Sequence, residues 1–219
     1  MQFRQIMRGH YAVPQKYRGG DKHAEPTAAD VYHILQATPQ TMFLTCSRRA
    51  CAKVNALALE AMFSEQVPLR HVPTDPESNV DNYWGSKLIA HAPLYMPIYL
   101  GCRVILTKNM NKTIGFVNGM GGSITGVQNG SISVHIDEGR TIQVYPYTSE
   151  ENVTYYPMRL GYASTLHKVQ GATLGHITLW LDVANFPAAA YVAISRVQKD
   201  EDWKYIGDVT VHHMTPARF

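Results

Sequence analysis

The chain has 219 residues, of which 45% are hydrophobic and 17% are charged, and its net charge is +3 with ten histidines counted as neutral. This composition predicts a globular protein with one large domain or two small ones. The mild positive charge is compatible with nucleic-acid binding but does not indicate it.

Two further features bound the class of protein. No apolar run reaches the roughly 18 residues of a membrane helix, and the N-terminus lacks the apolar core of a signal peptide. Cys46, Cys51 and Cys102 form no CxxC pair, which favours free thiols in a reducing compartment over a zinc site. We therefore expect a soluble, intracellular protein without a membrane partner and without a bound metal of its own.

Residues 1–40 are predicted to be an N-terminal segment made of a residual linker or short helices. F-R-Q-I-M-R is compatible with one or two helical turns, and K-Y-R-G-G-D is typical of a turn. A helix follows, with Val31, Ile34 and Leu35 at helical spacing and Thr27 as its N-cap. The charges of this segment either form a solvated face or contact nucleic acid.

The next segment has the pattern of half a βαβ unit. The apolar run 41–44 predicts a buried strand, 45–49 a turn, and Arg48–Phe63 a helix capped by Ser47. An arginine at a helix start opposes the helix dipole. It therefore favours an anionic partner near Arg48 or Arg49, with a solvated surface as the alternative.

Residues 67–99 contain five prolines and are predicted to be a long connection with little regular structure. Within it, Tyr83 and Trp84 are either stacking platforms for bases or anchors that fix the segment to the core, and we expect anchors. The five prolines are Pro68, Pro73, Pro76, Pro93 and Pro97.

From Gly101 the pattern changes to short strands joined by tight turns. Asn129-Gly130 is a strong hairpin signal, and Glu138-Gly139 marks another turn. This spacing suggests a small Src-homology-3-like barrel inserted in a larger α/β unit. No Gly-Lys-Ser/Thr follows the glycines, so they are predicted to be turn residues and not a phosphate loop.

The stretch 162–196 combines a polar loop, a buried strand at 177–181 and a small-residue helix at 188–195 that begins after Pro187. Such alternation brings polar groups to the carboxyl edge of a sheet, where ligands bind. A final strand is predicted at 203–207. His212-His213 is too short a tract to predict a metal site. The polar loop contributes His167, Lys168, Gln170, Gly171 and Thr173.

Four separated motifs are similar to those of one helicase family. S-T-L-H-K-V-Q-G-A-T-L resembles motif V, Y-V-A-I-S-R-V motif VI, and F-L-T-C-S-R-R-A-C-A-K-V-N motif IV. G-C-R-V-I-L-T-K-N with F-V-N-G-M-G-G-S-I-T-G-V resembles the segment that leads into the family's barrel. Order and spacing fit over about residues 41–207. The chain thus resembles the Pif-type/RecD-like branch of superfamily 1 DNA helicases.

The resemblance implies the C-terminal half of an ATP-dependent DNA helicase. Residues 41–100 and 157–211 would form a discontinuous RecA-like motor domain, with the barrel insertion at 101–156. In this family ATP binds between two motor domains. A separate N-terminal motor domain would supply the Walker A lysine and the acidic residues that bind Mg²⁺. Single-stranded DNA would be the partner, in the nucleus or another DNA-containing compartment, with roles in DNA repair and recombination.

The motifs also imply roles for particular residues. Arg196 would be the arginine finger, which meets the charge that develops on the transferred phosphoryl group. Gln170, Gly171 and Arg48 would lie near the nucleotide. The residues implied to contact nucleic acid are Thr45, Thr165, His167 and Lys168.

The sequence departs from the family pattern at several positions. Val169 stands where serine is usual, Ala189 where glutamine is frequent, and Cys46-Ser47-Arg48 where proline-threonine-asparagine is common. No GxxxxGK[ST] is present, and the roughly 40 residues before motif IV are too few for a RecA-like domain. We therefore expect the chain alone not to hydrolyse ATP. The alternatives are a non-catalytic single-stranded nucleic-acid-binding module and a degenerate helicase remnant.

Overall fold

The computed structural model describes residues 25–110, 116–207 and 209–216. The helical turns predicted at F-R-Q-I-M-R and the turn at K-Y-R-G-G-D lie outside the described residues. The chain forms two compact units. The first unit consists of the residues up to Met62 and those from Tyr162 onwards, and the second unit of Phe63–Gly161. No helix of the described residues is long and apolar enough to cross a membrane.

In the described part of the first unit, the first helix is α1 (Ala28–Ala37), which the sequence predicted with its cap. The Asp30 N–H donates to Thr27 Oγ1 at 3.2 Å, and the Thr27 N–H donates to Asp30 Oδ2 at 2.9 Å. This capping box satisfies N–H groups that the first turn leaves open. The Thr27 hydroxyl also donates to the Asp30 carboxylate and thereby holds the pKa of Asp30 below its ordinary value.

The predicted strand–turn–helix follows as β1 (Met42–Thr45) and α2 (Arg48–Phe63). Ser47 Oγ accepts a hydrogen bond from the Ala50 N–H at 3.1 Å, as the cap prediction required. Val54 and Ala58 on the apolar face of the helix are fully buried. Both bounds of the predicted helix are confirmed.

In the second unit, residues 67–99 contain more regular structure than the sequence predicted. β2 (Arg70–Thr74) and β5 (Leu94–Ile98) form an antiparallel pair, and β3 (Tyr83–Trp84) and β4 (Lys87–Leu88) form a hairpin. Two 3₁₀ turns, Pro76–Ser78 and Val80–Asn82, lie between β2 and β3.

The rest of the second unit consists of short antiparallel strands. β6 (Arg103–Leu106), β7 (Gly121–Gln128), β8 (Ser131–Ile136), β9 (Thr141–Val144), β10 (Tyr147–Thr148), β11 (Thr154–Tyr155) and β12 (Met158–Leu160) occur in chain order. A five-stranded sheet has the order β12-β6-β7-β8-β9, and β10 pairs with β11. The strands are those expected of the predicted insertion, but its closure into a Src-homology-3-like barrel stays a prediction.

Both predicted hairpin turns of this sheet are confirmed. Asn129 and Gly130 have φ of 47° and 81°, as a two-residue turn between β7 and β8 requires. Gly139 has φ of 94° in the turn between β8 and β9. Gly122 on β7 has a different reason to be glycine, since a Cβ there would lie 2.6 Å from the His135 carbonyl oxygen.

The chain then returns to the first unit and completes its sheet. β13 (Ala163–Thr165), β14 (Ile177–Trp180) and β15 (Trp203–Tyr205) join β1 in the order β13-β1-β14-β15, and all neighbours are parallel. Two short helices, α3 (Ala189–Ile194) and α4 (Val211–Met214), follow β14 and β15. The described chain is thus a mixed α/β protein.

The predicted helix at 188–195 requires a correction. Ala188 has φ of 59°, which is the left-handed conformation, and α3 begins only at Ala189. Pro187 therefore does not occupy the first helical position. Ala189, Ala190 and Ala193 are fully buried against the β14 side of the sheet, which explains the small side chains.

Candidate functional site

The carboxyl ends of three parallel strands of the first unit lie at one edge of its sheet. Thr45 at the end of β1 is paired in register with Thr165 on β13 and with Trp180 on β14. Ligands of open α/β sheets bind at this edge. The loops that follow these three strands are therefore the candidate site.

The turn after β1 is fixed by a side chain that sequence reasoning missed. Asp182, two residues beyond β14, accepts backbone hydrogen bonds at Oδ1 from the N–H groups of Cys46, at 2.8 Å, and Ser47, at 3.2 Å. The signal was available, since an acidic residue directly follows the buried run I-T-L-W-L. Asp182 joins the β1–α2 turn to the end of β14.

Thr45, which the motif resemblance assigned to nucleic acid, is buried with 0% of its surface exposed. Its hydroxyl donates to the Ser47 carbonyl oxygen at 3.1 Å. The Thr45 side chain therefore stabilises the turn from inside and does not face solvent. Arg48, at the first position of α2, is exposed on the same turn.

The same turn holds a thiol in its protonated form. Burial, with the nearby Asp182 carboxylate as the second cause, raises the pKa of Cys46 to about 12. Because the thiolate is the reactive form of cysteine, this side chain is not a nucleophile at neutral pH. At this position the turn therefore presents no reactive thiolate.

The polar loop after β13 is a short 3₁₀ helix, Leu166–Val169, with two faces. Leu166 and Val169 are buried in the core of the unit, whereas His167 and Lys168 are exposed. The side chain of Thr165, at the N-cap position, makes no capping hydrogen bond. The core contact of the two apolar residues thus fixes the direction in which the histidine and the lysine project.

Two further predicted residues extend this surface. Gln170 and Gly171 are exposed and follow the 3₁₀ helix directly. Gly171 has φ of 83°, and a Cβ built there meets nothing within 4 Å. The glycine is therefore needed for backbone conformation, which turns the chain back toward β14.

Arg196 lies just after α3 and is bonded to the polar loop. The Leu174 N–H donates to the Arg196 carbonyl oxygen at 2.8 Å, and Arg196 Nη1 donates to the Ala172 carbonyl oxygen at 3.5 Å. On the helix side, Nη2 donates to Ser195 Oγ at 2.9 Å and Nε to the Val192 carbonyl oxygen at 3.2 Å. The structure therefore brings together two of the four segments that the motifs singled out, those that resemble motifs V and VI.

The charge of Arg196 is not neutralised by a neighbour in the described part of the chain. No carboxylate of these residues lies within salt-bridge distance of its guanidinium. Asp200, the partner that the sequence offered as an alternative, accepts a hydrogen bond from Trp203 Nε1 at 3.1 Å. Arg196 is thus oriented by neutral oxygens, and no carboxylate of the described residues is paired with its guanidinium.

His213 is buried and hydrogen-bonded within the fold. It is 1% exposed, its Nε2 lies 2.8 Å from the Val183 carbonyl oxygen, and its Nδ1 accepts the Thr210 N–H at 3.0 Å. Since Nδ1 accepts, Nε2 carries the proton and donates to Val183. Among residues 25–110, 116–207 and 209–216, no group of three histidine, cysteine, aspartate or glutamate side chains is arranged to hold a metal.

Comparison with known proteins identifies relatives of the chain. It is 30% identical over 166 residues to the ATP-dependent DNA helicase Pif1 of Bdellovibrio bacteriovorus, a match that covers 71% of this chain and 36% of the relative. It is 27% identical over 170 residues to the rat ATP-dependent DNA helicase PIF1, covering 68% of this chain and 26% of the relative. Its homologues are Pif1 helicases.

Solved Pif1 structures share the fold. Bacteroides Pif1 in complex with ADP-AlF3 and single-stranded DNA superposes with a TM-score of 0.65 at 21% identity, over 98% of this chain and 50% of that one. Candida albicans Pif1 gives a TM-score of 0.61 at 18% identity, over 99% and 55%. No protein-family model matches the chain.

The matches also show how much of each relative's length this chain covers. This chain spans about a third or less of the length of the curated Pif1 relatives and about half of the solved Pif1 chains. This share is consistent with the predicted C-terminal half of a Pif1-type helicase.

Proposed function

We propose that the chain is the C-terminal motor half of a Pif1-type DNA helicase. In this proposal, residues 41–100 and 157–211 form the second RecA-like domain, and 101–156 form a strand and a small Src-homology-3-like barrel inserted in it. The parallel sheet with polar loops at one edge, and the Pif1 relatives and structural neighbours, support this assignment.

The single observation that carries the proposal is the state of Arg196. Its guanidinium is held by Ser195 Oγ and the carbonyl oxygens of Val192 and Ala172, and no carboxylate of the described residues neutralises it. Phosphoryl transfer spreads negative charge over the transferred group, and a fixed guanidinium stabilises that charge. We assign Arg196 as the arginine finger toward the γ-phosphate of ATP.

Neighbouring groups complete the nucleotide side of the site. Gln170 and Gly171 belong to the loop that is bonded to Arg196 through Ala172 and Leu174. Arg48 projects from the start of α2 at the same edge of the sheet. These groups would contact nucleotide phosphates or sugar. Mg²⁺ and the Walker A lysine would come from a separate first motor domain.

The nucleic-acid side is formed by the exposed residues of the polar loop. Lys168 and His167 offer a cation and a hydrogen-bonding ring to a phosphate backbone, and Thr165 offers a hydroxyl that caps nothing. Thr45 takes part through the turn that it holds, without contact of its own. Since the loop is bonded to Arg196, a strand bound on it would be coupled to the nucleotide site.

The activity is tested by reconstitution. The chain would be mixed with the separately expressed first motor domain of the Bdellovibrio Pif1 relative, and ATP turnover would be measured with single-stranded DNA. We expect turnover only in the mixture, and a loss of roughly 10³-fold or more with Arg196→Ala. Arg196→Lys keeps a charge but loses the planar fork and should restore little. DNA-stimulated turnover by the chain alone, lost in Arg196→Ala, would contradict the division between the two halves.

The DNA contact is tested on the chain by itself. Fluorescence anisotropy with a labelled oligo-dT should show binding at low salt that weakens as salt rises, because phosphate contacts release counterions. The double variant His167→Ala/Lys168→Ala should bind more weakly and with a shallower salt slope. Lys204→Ala removes an exposed lysine from β15 and serves as the matched control.

A second candidate function rests on the exposure of the polar loop alone. His167 and Lys168 project into solvent without any need for a bound nucleotide. The chain would then be a non-catalytic single-stranded nucleic-acid-binding module. Binding of oligo-dT that depends on the loop, together with a mixture that never turns over ATP, favours this candidate over the helicase half. Absence of binding at low salt excludes both.

A further inference from the structure

The β3–β4 hairpin of the second unit exposes a tryptophan to solvent. Trp84 is 79% exposed, whereas the other two tryptophans of the chain, Trp180 and Trp203, are 7% and 8% exposed. The sequence had predicted that Trp84 anchors this segment to the core, and the structure corrects that prediction. An exposed indole contributes little to the stability of the fold, so Trp84 is free to serve a surface contact.

The geometry of the hairpin defines what lies beside the indole. The strands pair Tyr83 with Leu88 and Trp84 with Lys87, and a two-residue turn joins them. Gly85 has φ of 60° at the first turn position, which is typical of a type II′ turn. Directly paired residues project from the same face of a hairpin. Trp84 and Lys87 therefore share the outward face, while Tyr83 and Leu88 are half-buried on the other.

The base of the hairpin is held by a buried asparagine. Asn82 is 2% exposed, and its Nδ2 donates to the carbonyl oxygens of Pro76 at 2.9 Å and Ala92 at 2.8 Å. Its Oδ1 accepts the Ala92 N–H at 3.2 Å, and its backbone carbonyl accepts the Ile89 N–H at 2.8 Å. This network joins the residues just before β3 to those just after β4 at the base of the hairpin. The indole is thus presented on a preorganised support and not on a loose loop.

We propose that Trp84 is a stacking platform for a base of single-stranded nucleic acid, with Lys87 on the same face meeting the adjacent phosphate. A flat aromatic ring beside a cation is the combination that proteins use to bind single strands without reading sequence. The ligand class rests on the proposed function. The site is a different one, because it is formed by another unit of the chain and needs no nucleotide.

The size of the exposed feature favours a nucleic acid over a protein partner. A stable protein interface covers about 800 Å² on each partner, whereas a tryptophan contributes about 200 Å². The tip residues, Gly85 and Ser86, are small. One ring on a narrow tip matches one base better than it matches a protein surface.

The charges around the hairpin predict how the site behaves. Glu77 and Asp81, on the 3₁₀ turns before β3, are exposed and acidic, and Lys87 is the single lysine or arginine within 76–92. Net electrostatic attraction is therefore weak here. Stacking, which depends little on salt, would supply most of the contribution of this site.

The test uses the exposure of Trp84 as its readout. Because the other two tryptophans are buried, quenching of tryptophan fluorescence by an added oligonucleotide reports mainly on Trp84. We expect oligo-dT to quench and to shift the emission of the 219-residue chain, and an abasic oligonucleotide of equal length to do neither. In anisotropy, Trp84→Ala should weaken oligo-dT binding roughly 5- to 150-fold, and Trp84→Phe should retain most of the affinity.

The controls separate this site from the polar loop. Tyr95→Ala removes another exposed aromatic ring, 67% exposed on β5, and should leave binding unchanged. The Trp84→Ala loss should persist at high salt, unlike the loss from His167→Ala/Lys168→Ala. Far-UV circular dichroism checks that each variant is folded.

Several outcomes overturn the proposal. Oligo-dT binding that depends on the polar loop, without quenching and without a Trp84→Ala effect, rejects the stacking site and leaves the proposed function intact. Equal quenching by the abasic strand rejects stacking as its cause. Self-association that Trp84→Ala abolishes, measured by sedimentation, assigns the ring to a contact between copies of the chain. Absence of any binding at low salt rejects this site together with the polar loop.

Discussion

The two units of the chain are built in opposite ways. The sheet of the first unit is parallel, and its neighbouring strands are far apart in sequence, since Phe43 pairs with Ala163 on one side and with Thr178 on the other. The main sheet of the second unit is antiparallel, and β6, β7 and β8 each pair with the next strand along the chain. The first unit depends on long-range pairing, and the second mainly on pairing between successive strands.

The difference bears on where ligands bind. Parallel strands end at the same edge, so the loops after β1, β13 and β14 converge and can bond to one another, as when the Asp182 carboxylate accepts backbone N–H groups of the β1–α2 turn. Antiparallel strands end alternately at both edges, so a hairpin presents a feature singly, as β3–β4 presents Trp84. The converging loops of the parallel sheet suit a site built from several segments, whereas the single hairpin suits one stacking contact.

The largest expected effect tests whether the two sheets depend on each other for stability. Leu179, on β14, and Ile132, on β8, are both fully buried. Replacement of either by alanine should cost about 2–5 kcal/mol, because a cavity is left in a packed core. We expect Leu179→Ala to lower hydrogen-exchange protection in the parallel sheet and Ile132→Ala in the antiparallel sheet. Equal loss in both sheets from either variant would show that the units unfold as one.

The second prediction concerns a long-range contact of the parallel unit. Asn55, buried on α2, accepts the N–H groups of Tyr162 and Ala163 at Oδ1, at 3.2 and 3.1 Å. Asn55→Ala removes this shared acceptor and should cost about 1–3 kcal/mol, measured by urea unfolding. Glu60→Ala, exposed on the same helix, is the control and should have almost no effect. A similar loss in both variants would locate the cost in helix α2 and not in the contact.

The third prediction concerns pH. The folded-state pKa of Cys46, about 12, lies above the ordinary value of 9.0. The unfolded chain therefore loses this proton first as pH rises. The contribution of the protonated Cys46 thiol to the free energy of unfolding is therefore fully present below pH 9 and is lost between pH 9 and 12.

By pH 10 the loss from Cys46 should reach up to about 1 kcal/mol, with allowance for the partial exposure of the side chain. Over this pH range, the free energy of unfolding measured in urea should decrease less steeply for Cys46→Ala than for the native chain. Parallel pH profiles for the two proteins would contradict the shift.

The smallest expected effect contrasts a turn with an ion pair in the antiparallel unit. Arg140 and Glu138 form an exposed pair at 3.1 Å around Gly139. Arg140→Ala should change stability by less than about 0.5 kcal/mol. Gly139→Ala places a Cβ at φ of 94° and should cost more, about 1 kcal/mol or above. If Arg140→Ala lowered the Tm in a thermal melt more than Gly139→Ala did, the ion pair and not the backbone conformation would stabilise this hairpin.

Elements with strong local signals were predicted well from the sequence. The helix Arg48–Phe63 was predicted at both ends, because Ser47 supplies the cap and the apolar stripe runs its whole length. The Asn129-Gly130 turn was predicted because two successive residues with positive φ demand such side chains. In both cases the deciding interactions are within a few residues of each other.

Errors arose where tertiary context overrode local signals. Pro73 and Pro97 suggested an irregular segment, yet they lie in β2 and β5, which pair with each other. Proline is tolerated in such edge strands, where its missing N–H does not interrupt the pairing. Pro187 suggested a helix start, but Ala188 adopts the left-handed conformation and its N–H donates to the Thr215 carbonyl oxygen at 2.8 Å. That contact, 27 residues away, carries no local sequence signal.

For the candidate site, the sequence located the segments but not their roles. Arg196, Gln170 and Gly171 were all expected near the nucleotide, and the Ala172 and Leu174 hydrogen bonds join the polar loop to Arg196. The burial of Thr45 and the contact made by Asp182 depend on the neighbour across the sheet, which periodicity does not reveal.

The pairing of β1 has a consequence for synthesis of the chain. Both neighbours of β1, β13 and β14, are encoded more than a hundred residues later, so on the ribosome β1 emerges with two open edges. The second unit is contiguous in sequence and all of its strands are available first. Closure of the parallel sheet must therefore wait, at the loop-entropy cost of the intervening segment. Translation pauses or chaperones that shield β1 during that interval should raise the yield of folded protein more than equal protection of any strand of the second unit.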